Sequence, residues 1–258
     1  MWQRLTHSTL FLDQTDFPLE IERAQIEQFY HPLATGLLAA ASVPRLMVAV
    51  AGPPGSGKTA FATTLVAVIN AETDSNTAAL VGLDGWHYAN DYLSAHFVER
   101  GGGRVSLQSI KGAPETFDVA AAYNCLSRIR QGGRVSFPVY SRRLHEPVPD
   151  GGTVDPSHRI VVVEGNYLLL DETPWRRLHP LFDVRVFISA SPNALVNALR
   201  ERHLRGAKTV AATERQIREV DLPNGARVAS GIARAQVLVY KHETGVRRID
   251  RVEGIDSL

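Results

Sequence analysis

The chain has 258 residues, 28 basic against 27 acidic side chains and a formal net charge of +1, so no global field points to nucleic acid or membrane partners. At this length roughly three-quarters of the unfolded surface can be buried, and the core needs no staple; the single cysteine, Cys125, excludes an intramolecular disulfide and reads as a structural residue among Ala121, Ala122 and Leu126. No apolar run is long enough to cross a bilayer and no basic-then-apolar leader opens the chain, which gives the expectation of a cytoplasmic protein.

In chain order, residues 1–43 read as a helical extension. Ile26, Phe29, Tyr30, Leu33, Leu37 and Leu38 recur at helical spacing between Leu19 and Ala41, with a kink expected at Pro32. That apolar face suits either packing on the core or a homodimer contact. A strand at Leu46–Ala51, a helix over Phe61–Ile69, a strand at Ala78–Leu83 and a helix over Val119–Arg130 follow, the last ending near Gly132-Gly133. The cluster Gly101-Gly102-Gly103 reads as a mobile loop. The unbroken run Ile160–Val163 predicts a strand buried on both faces, and Val184–Ile188 another. Ser191-Pro192 caps a helix through about Leu204, and Val237–Tyr240 forms a late strand, while the tail from His242 carries no signal. Alternation of strands and helices without a linker or repeat predicts an α/β fold, a mainly parallel sheet flanked by helices, in one domain over residues 44–258.

The first predicted strand runs straight into Gly52-Pro53-Pro54-Gly55-Ser56-Gly57-Lys58-Thr59. Glycines here let the backbone curl so that successive N–H groups point at phosphates, and the helix that follows adds its positive end. Lys58 can reach the terminal phosphates and the Thr59 hydroxyl can ligate Mg²⁺, so the whole segment, Gly52 to Thr59, predicts a nucleoside triphosphate site. In a parallel sheet the ligand crevice lies beyond the carboxyl ends of the strands. Two acids stand there: Asp84 after the strand ending at Leu83, and Glu164 after the valine run. Phosphoryl transfer to an alcohol needs a proton acceptor and a carboxylate near the metal, and these two residues suit those tasks. The competing reading is that Asp84-Gly85 and Glu164-Gly165 simply end their strands with turns.

Beyond this loop, Asp84-Gly85-Trp86-His87-Tyr88, Lys111-Gly112-Ala113-Pro114-Glu115-Thr116-Phe117-Asp118, Pro138-Val139-Tyr140-Ser141 and Val161-Val162-Val163-Glu164-Gly165 fall in the order seen in the phosphoribulokinase/uridine kinase family, which the chain resembles over about residues 44–240. Two of these stretches, with Tyr30-His31-Pro32-Leu33, are similar to bacterial type I pantothenate kinase. The Lys111–Asp118 motif and Leu222-Pro223-Asn224 are more similar still to bacterial fructose-transport-system or nucleoside/nucleotide kinase-like proteins. The resemblance implies a three-layer P-loop fold and an ATP- and Mg²⁺-dependent kinase acting on a hydroxyl of a small metabolite. It implies Asp84 as catalytic base, Lys58 on the phosphates, Thr59 and Glu164 at the metal, and Glu115, Tyr140 and His87 toward the acceptor. Arg142 could hold an anionic acceptor. The family closes a basic lid where residues 191–215 stand here, with Arg202 and Arg205 three apart on one helix face; a planar guanidinium suits charge spread over a transferring phosphoryl group. The short passage from Glu219 to Asn224 departs from pantothenate kinases, and the segment Pro138–His145 departs from uridine kinases, which leaves a sugar or polyol acceptor by elimination.

Three rival classes have weaker support. A regulatory GTPase would carry Asn/Thr-Lys-x-Asp, and the sequence has none. Ala229-Ser230-Gly231-Ile232-Ala233-Arg234 only superficially resembles a transport-ATPase signature and stands after Glu164 rather than before it. A partner-binding ATPase without an acceptor would have little use for Lys58, Thr59, Asp84 and Glu164 together.

Overall fold

The computed structural model describes residues 2–4, 9–12, 19–41, 44–206 and 209–253. The remainder of the 1–43 extension, residues 207–208 of the lid and the last five residues of the tail lie outside the described residues. Strands β1 (Trp2–Arg4), β2 (Thr9–Leu12) and β3 (Leu19–Glu22) pair into a small antiparallel sheet. The extension is therefore only partly helical: Leu19–Glu22, read as helix from its apolar spacing, is β3, and helix α1 occupies residues 23–40. Pro32 does not break α1. A wide turn at Ile26–Tyr30 precedes it, in which the His31 amide reaches back five residues to the Ile26 carbonyl, one of the local adjustments that absorb strain in a continuous helix.

Then follow β4 (Leu46–Ala51), α2 (Lys58–Glu72), β5 (Ala78–Gly82), α3 (Asn90–Ala95), the hairpin β6 (Phe97–Arg100) and β7 (Gly103–Ser106), and α4 (Val119–Arg130). A second hairpin of β8 (Val135–Ser141) and β9 (Glu146–Val154) precedes β10 (Ile160–Glu164), β11 (Val184–Ala190), α5 (Pro192–Arg205), α6 (residues 210–229), β12 (Val237–Lys241) and β13 (Arg247–Val252). The glycine cluster read as a mobile loop is a tight turn instead: Gly101 and Gly102 take φ of 61° and 79°, and β6 pairs with β7 across them.

The central sheet runs β13-β12-β11-β4-β10-β5, with all pairs parallel except β12 with β13. Its strands alternate between two buried faces. Val48, Val50, Ile160, Val162, Val186, Ile188, Val237 and Val239 pack with Phe29, Tyr30, Leu33 and Leu37 of α1 and with Phe61, Leu65 and Val68 of α2. Met47, Ala49, Val161, Val163 and Phe187 pack with Ala122, Leu126 and Ile129 of α4 and with Trp175 and Leu178. The result is the expected three-layer α/β/α arrangement, and the apolar face of α1 is used in packing on the core.

Candidate active site at the carboxyl edge of the sheet

Pairing brings the sequence-separated acids and the glycine-rich loop to one edge. β10 lies between β4 and β5, with Glu164 in register with Val50 on one side and Gly82 on the other. The loop leaves β4 at Gly52, whose φ is 155° and where an added Cβ would come 2.4 Å from the Ile188 carbonyl oxygen. No side chain but hydrogen fits there. Gly57 at φ 84° opens α2 without a side-chain cap or an acidic first turn, so the amides at this helix end remain available to an anion.

Lys58 is buried and its Nζ donates to the Pro53 carbonyl at 3.1 Å. Burial lowers its pKa to about 8, against the upward pull of Glu164 and Asp84. Thr59 Oγ1 donates to Glu164 Oε1 at 3.1 Å. Burial and the Asp84 carboxylate raise the Glu164 pKa, while Lys58, the Thr59 hydrogen bond and Arg142 pull it down. Ser56 is fully buried with an unpartnered Oγ among the described residues.

Asp84 sits on the short turn Leu83–Trp86 directly after β5, its side chain about half exposed. A Cβ on Gly85 would fall 1.9 Å from the Pro138 carbonyl oxygen, so the turn can seat against β8 only with glycine at that position. Pro138 has no N–H for the ladder, and the β8–β9 register shifts between Phe137 and Val139 to accommodate it. These two devices set Tyr140 beside Asp84. The His87 ring lies 3.8 Å from the Phe117 ring and 5.3 Å from the Tyr140 ring, with Nδ1 2.9 Å from the Asp84 carbonyl oxygen. Burial lowers the His87 pKa and, with Asp84, raises that of Tyr140 to about 12, so both face the site as neutral groups near pH 7.

A cleft of about 360 Å³ opens beside this turn, lined by Pro54, Asp84, His87 and Phe117 and by Arg202, Asp221 and Asn224 among others. Helix α5 begins as expected at Ser191, whose hydroxyl accepts from the Ala194 amide, and it lies on the loop: a Cβ on Gly55 would be 2.8 Å from the Leu195 carbonyl oxygen. Of the two lid arginines, Arg202 lines the cleft, 3.6 Å from Asp221, while Arg205 is exposed and ion-paired with Glu201. Glu115 is held by Arg227 at 2.7 Å, and Arg227 also binds Glu172. The sequence motifs assign no role to Lys111, His203, Asp221, Asn224 or Arg227. Lys111 donates to Asn90 Oδ1 and the His145 carbonyl, both at 2.6 Å, and His203 Nε2 lies 2.7 Å from Asp221 Oδ2. The clue available in the sequence was the Leu222-Pro223-Asn224 element. The segment Ala229–Arg234 packs against Leu169 rather than on the glycine-rich loop.

A parallel α/β sheet with a glycine-rich loop between its central strand and a buried helix, and carboxylates at the ends of the next two strands on one side, β10 and β5, defines a P-loop kinase fold. Residues 47–223 match the Phosphoribulokinase / Uridine kinase family, and the chain belongs to it. It is 32% identical over 229 residues to the uncharacterized protein YggC of Escherichia coli (strain K12), covering 88% of this chain and 92% of that one. It is 30% identical over 149 residues to the uridine kinase of Saccharomyces cerevisiae, covering 56% of this chain and 26% of that one. A crystal structure from Silicibacter, provisionally described as a fructose transport system kinase, superposes with a TM-score of 0.68 at 30% identity, covering 78% of this chain and 94% of the other.

Proposed function

We propose that this chain transfers the γ-phosphoryl group of ATP to a hydroxyl of a small metabolite: a sugar, a polyol, a nucleoside or a pantothenate-like alcohol. The observation that carries this reading is the placement of Asp84, half exposed at the cleft and electrostatically coupled to both Lys58 and Glu164. A carboxylate there can accept the hydroxyl proton as the acceptor oxygen bonds to the γ-phosphorus and the bond to the bridging oxygen breaks, releasing ADP. Lys58 neutralises charge on the phosphates, and Arg202 does so from the lid side. His87, Glu115, Tyr140 and Arg142 position the acceptor in this reading. Arg205, exposed and paired with Glu201, is left without a catalytic task.

The donor set suits Mg²⁺: the Thr59 hydroxyl and the adjacent Glu164 carboxylate are hard oxygen ligands, and the buried Glu164, whose proton affinity is raised, gains most from a nearby cation. When bound, the ion would shield the phosphates and polarise the bond to the transferred group. The reading also places the protein in the cytoplasm; among the described residues no helix is long and apolar enough to cross a membrane.

The test is ADP release from MgATP against a panel of sugars, polyols, nucleosides, pantothenate and glycerate, with Asp84→Asn alongside. Acceptor-dependent turnover that is lost in the variant supports the kinase. Slow acceptor-independent hydrolysis, unaffected by the variant, would instead favour a switch or partner-binding ATPase.

A further inference from the structure

Part of the cleft lining has no task in the transfer chemistry. Helix α6 carries a wide turn at Ile217–Asp221, in which the Leu222 amide reaches back five residues to the Ile217 carbonyl. Such turns shift the helical register and recur at functional sites. Here Gln216, Val220, Asp221 and Asn224 all line the cleft, together with Asp84 and His87. Asp221 is 7% exposed, with one oxygen near His203 and the other near Arg202, so each oxygen keeps room for another donor. Asn224 is 2% exposed and its Oδ1 has no hydrogen-bond partner among the described residues. An unmet buried amide oxygen costs free energy until a donor arrives.

The rest of the lining narrows what that donor belongs to. Gln108 and Asn166 add two more amides to Gln216 and Asn224. The lining carboxylates Asp84 and Asp221 are matched in number by the cations Lys111 and Arg202, of which Arg202 is paired with Asp221, and burial keeps His87 toward its neutral form. An anionic acceptor would call for a surplus of cations. A base or an aliphatic arm would call for an open apolar face. The lining has one carbocyclic ring, Phe117, and His87 covers it at 3.8 Å. Balanced charge and four amides instead match a ligand that is neutral and dense in hydroxyls, each both donor and acceptor.

We infer that the acceptor is a neutral polyhydroxy compound, a sugar or polyol without phosphate or carboxylate, and that Asp221 and Asn224 determine specificity by holding its non-reacting hydroxyls against α6. This rests on the kinase reading and deepens it. The experiment uses the full chain with MgATP and measures kcat and KM for ketoses, aldoses, pentoses and hexitols. The comparison panel is the same carbon skeletons bearing phosphate or carboxylate, together with nucleosides and pantothenate. Turnover should favour a neutral member. Single-deoxy analogues of that acceptor are then crossed with Asn224→Ala and, because a cleft-wall truncation can disturb folding, with Gln216→Ala, each checked by thermal melting and by binding of a non-hydrolysable ATP analogue.

Loss of the hydroxyl that Asn224 holds should lower wild-type kcat/KM roughly 10- to 100-fold, mainly through KM, and should cost the Asn224→Ala variant little more than it has already lost. Fully additive losses for every deoxy analogue would overturn the role of the α6 wall. Turnover confined to anionic acceptors, nucleosides or pantothenate would overturn the neutral polyol while leaving a kinase. Absence of acceptor-dependent turnover with every class would remove the kinase reading and this inference with it.

Discussion

At the amino-terminal edge of the parallel strands Arg45, 2% exposed, directs its guanidinium at five carbonyl oxygens, those of Ile129, Gly132, Gly133, Asp155 and His158, at 2.5 to 3.3 Å. Close by, Asp183 takes two hydrogen bonds from Arg130 and one from the Met47 amide. At the carboxyl edge, some six residues along the same β4 strand, Ser56 Oγ and Asn224 Oδ1 are buried without partners and Lys58 Nζ is left on a single carbonyl among the described residues, and Glu164 is held at a raised pKa. At one edge Arg45 and Asp183 have their hydrogen-bonding groups met and fix the end of α4 to the sheet. The other keeps strong groups short of partners, the state expected where a ligand completes the bonding. Stability and function are therefore separable along a single strand, and substitutions at the two edges should fail in different ways.

The largest effect should come from Asp84→Asn. General-base assistance contributes typically 10²–10⁴-fold, so kcat should fall by about that factor with ATP binding retained. Because Asp84 is half exposed, the melting temperature should barely move. Unchanged turnover in the variant would remove Asp84 from the chemistry and make Asp84-Gly85 merely a turn. Lys58→Ala should weaken both ATP affinity and rate, read by calorimetry and turnover.

Arg45→Met is the matching experiment at the opposite edge. It removes the shared donor of five carbonyls, leaving the buried Ile129 oxygen to the Gly132 amide, and a loss of about 2–4 kcal/mol in unfolding free energy is expected from denaturant titration. The kcat of the protein that remains folded should match wild type. A variant with unaltered stability and impaired turnover would collapse the distinction between the two edges.

How much of this was legible in the sequence follows the same division. Continuous apolar runs such as Ile160–Val163 and the helix starting at Ser191-Pro192 needed only local rules, and they fold as read. Asp84, Glu164 and the loop were found because strand ends point at a shared crevice. What stayed hidden depends on pairing between distant segments. The alternation Val135-Ser136-Phe137 marked β8, but Pro138 disguised it until the register shift is seen. The charged run Arg247–Val252 reads as tail and becomes an edge strand only because β12 offers it a partner; charge on an edge strand guards against pairing with other chains. Asp221 and Asn224 stand three apart on α6 at ordinary same-face spacing, but a period within one helix does not tell which distant segment that face meets, so it could not have grouped them with Asp84. The same holds for Arg202 and Arg205: spacing put them on one helix face, while the structure gives one to the cleft and the other to Glu201.

Those two arginines sharpen the comparison within the functional edge itself. Arg202→Ala should lower kcat by about 10²-fold, the scale of losing one donor to developing negative charge. Arg205→Ala, breaking an exposed pair, should change kcat less than about twofold and stability by less than about 1 kcal/mol. Equal losses from both would restore the reading of a two-arginine lid.

The smallest effect is a fraction of a proton, and it reports directly on the unfilled state of the carboxyl edge. Lys58, lowered to about 8 chiefly by burial, is mostly neutral above that pH, and Glu164, raised by burial and by Asp84, retains a proton to higher pH than an ordinary carboxyl. Metal-free ATP brings negative charge that favours the protonated form of both. Its binding should therefore take up protons, with Lys58 dominating above about pH 8. Mg²⁺ beside Thr59 and Glu164 acts in the opposite sense on the carboxyl, so adding the metal should shift the linkage toward release near neutral pH. Calorimetry in buffers of different ionisation enthalpy measures both signs. Lys58→Arg, which stays charged throughout, should abolish the alkaline uptake. Alkaline uptake equal to wild type in that variant would show that the proton goes elsewhere and that Lys58 is not held short of its usual charge. The Arg45 edge supplies the internal control: with its guanidinium charged throughout this range, Arg45→Met should leave the proton count untouched.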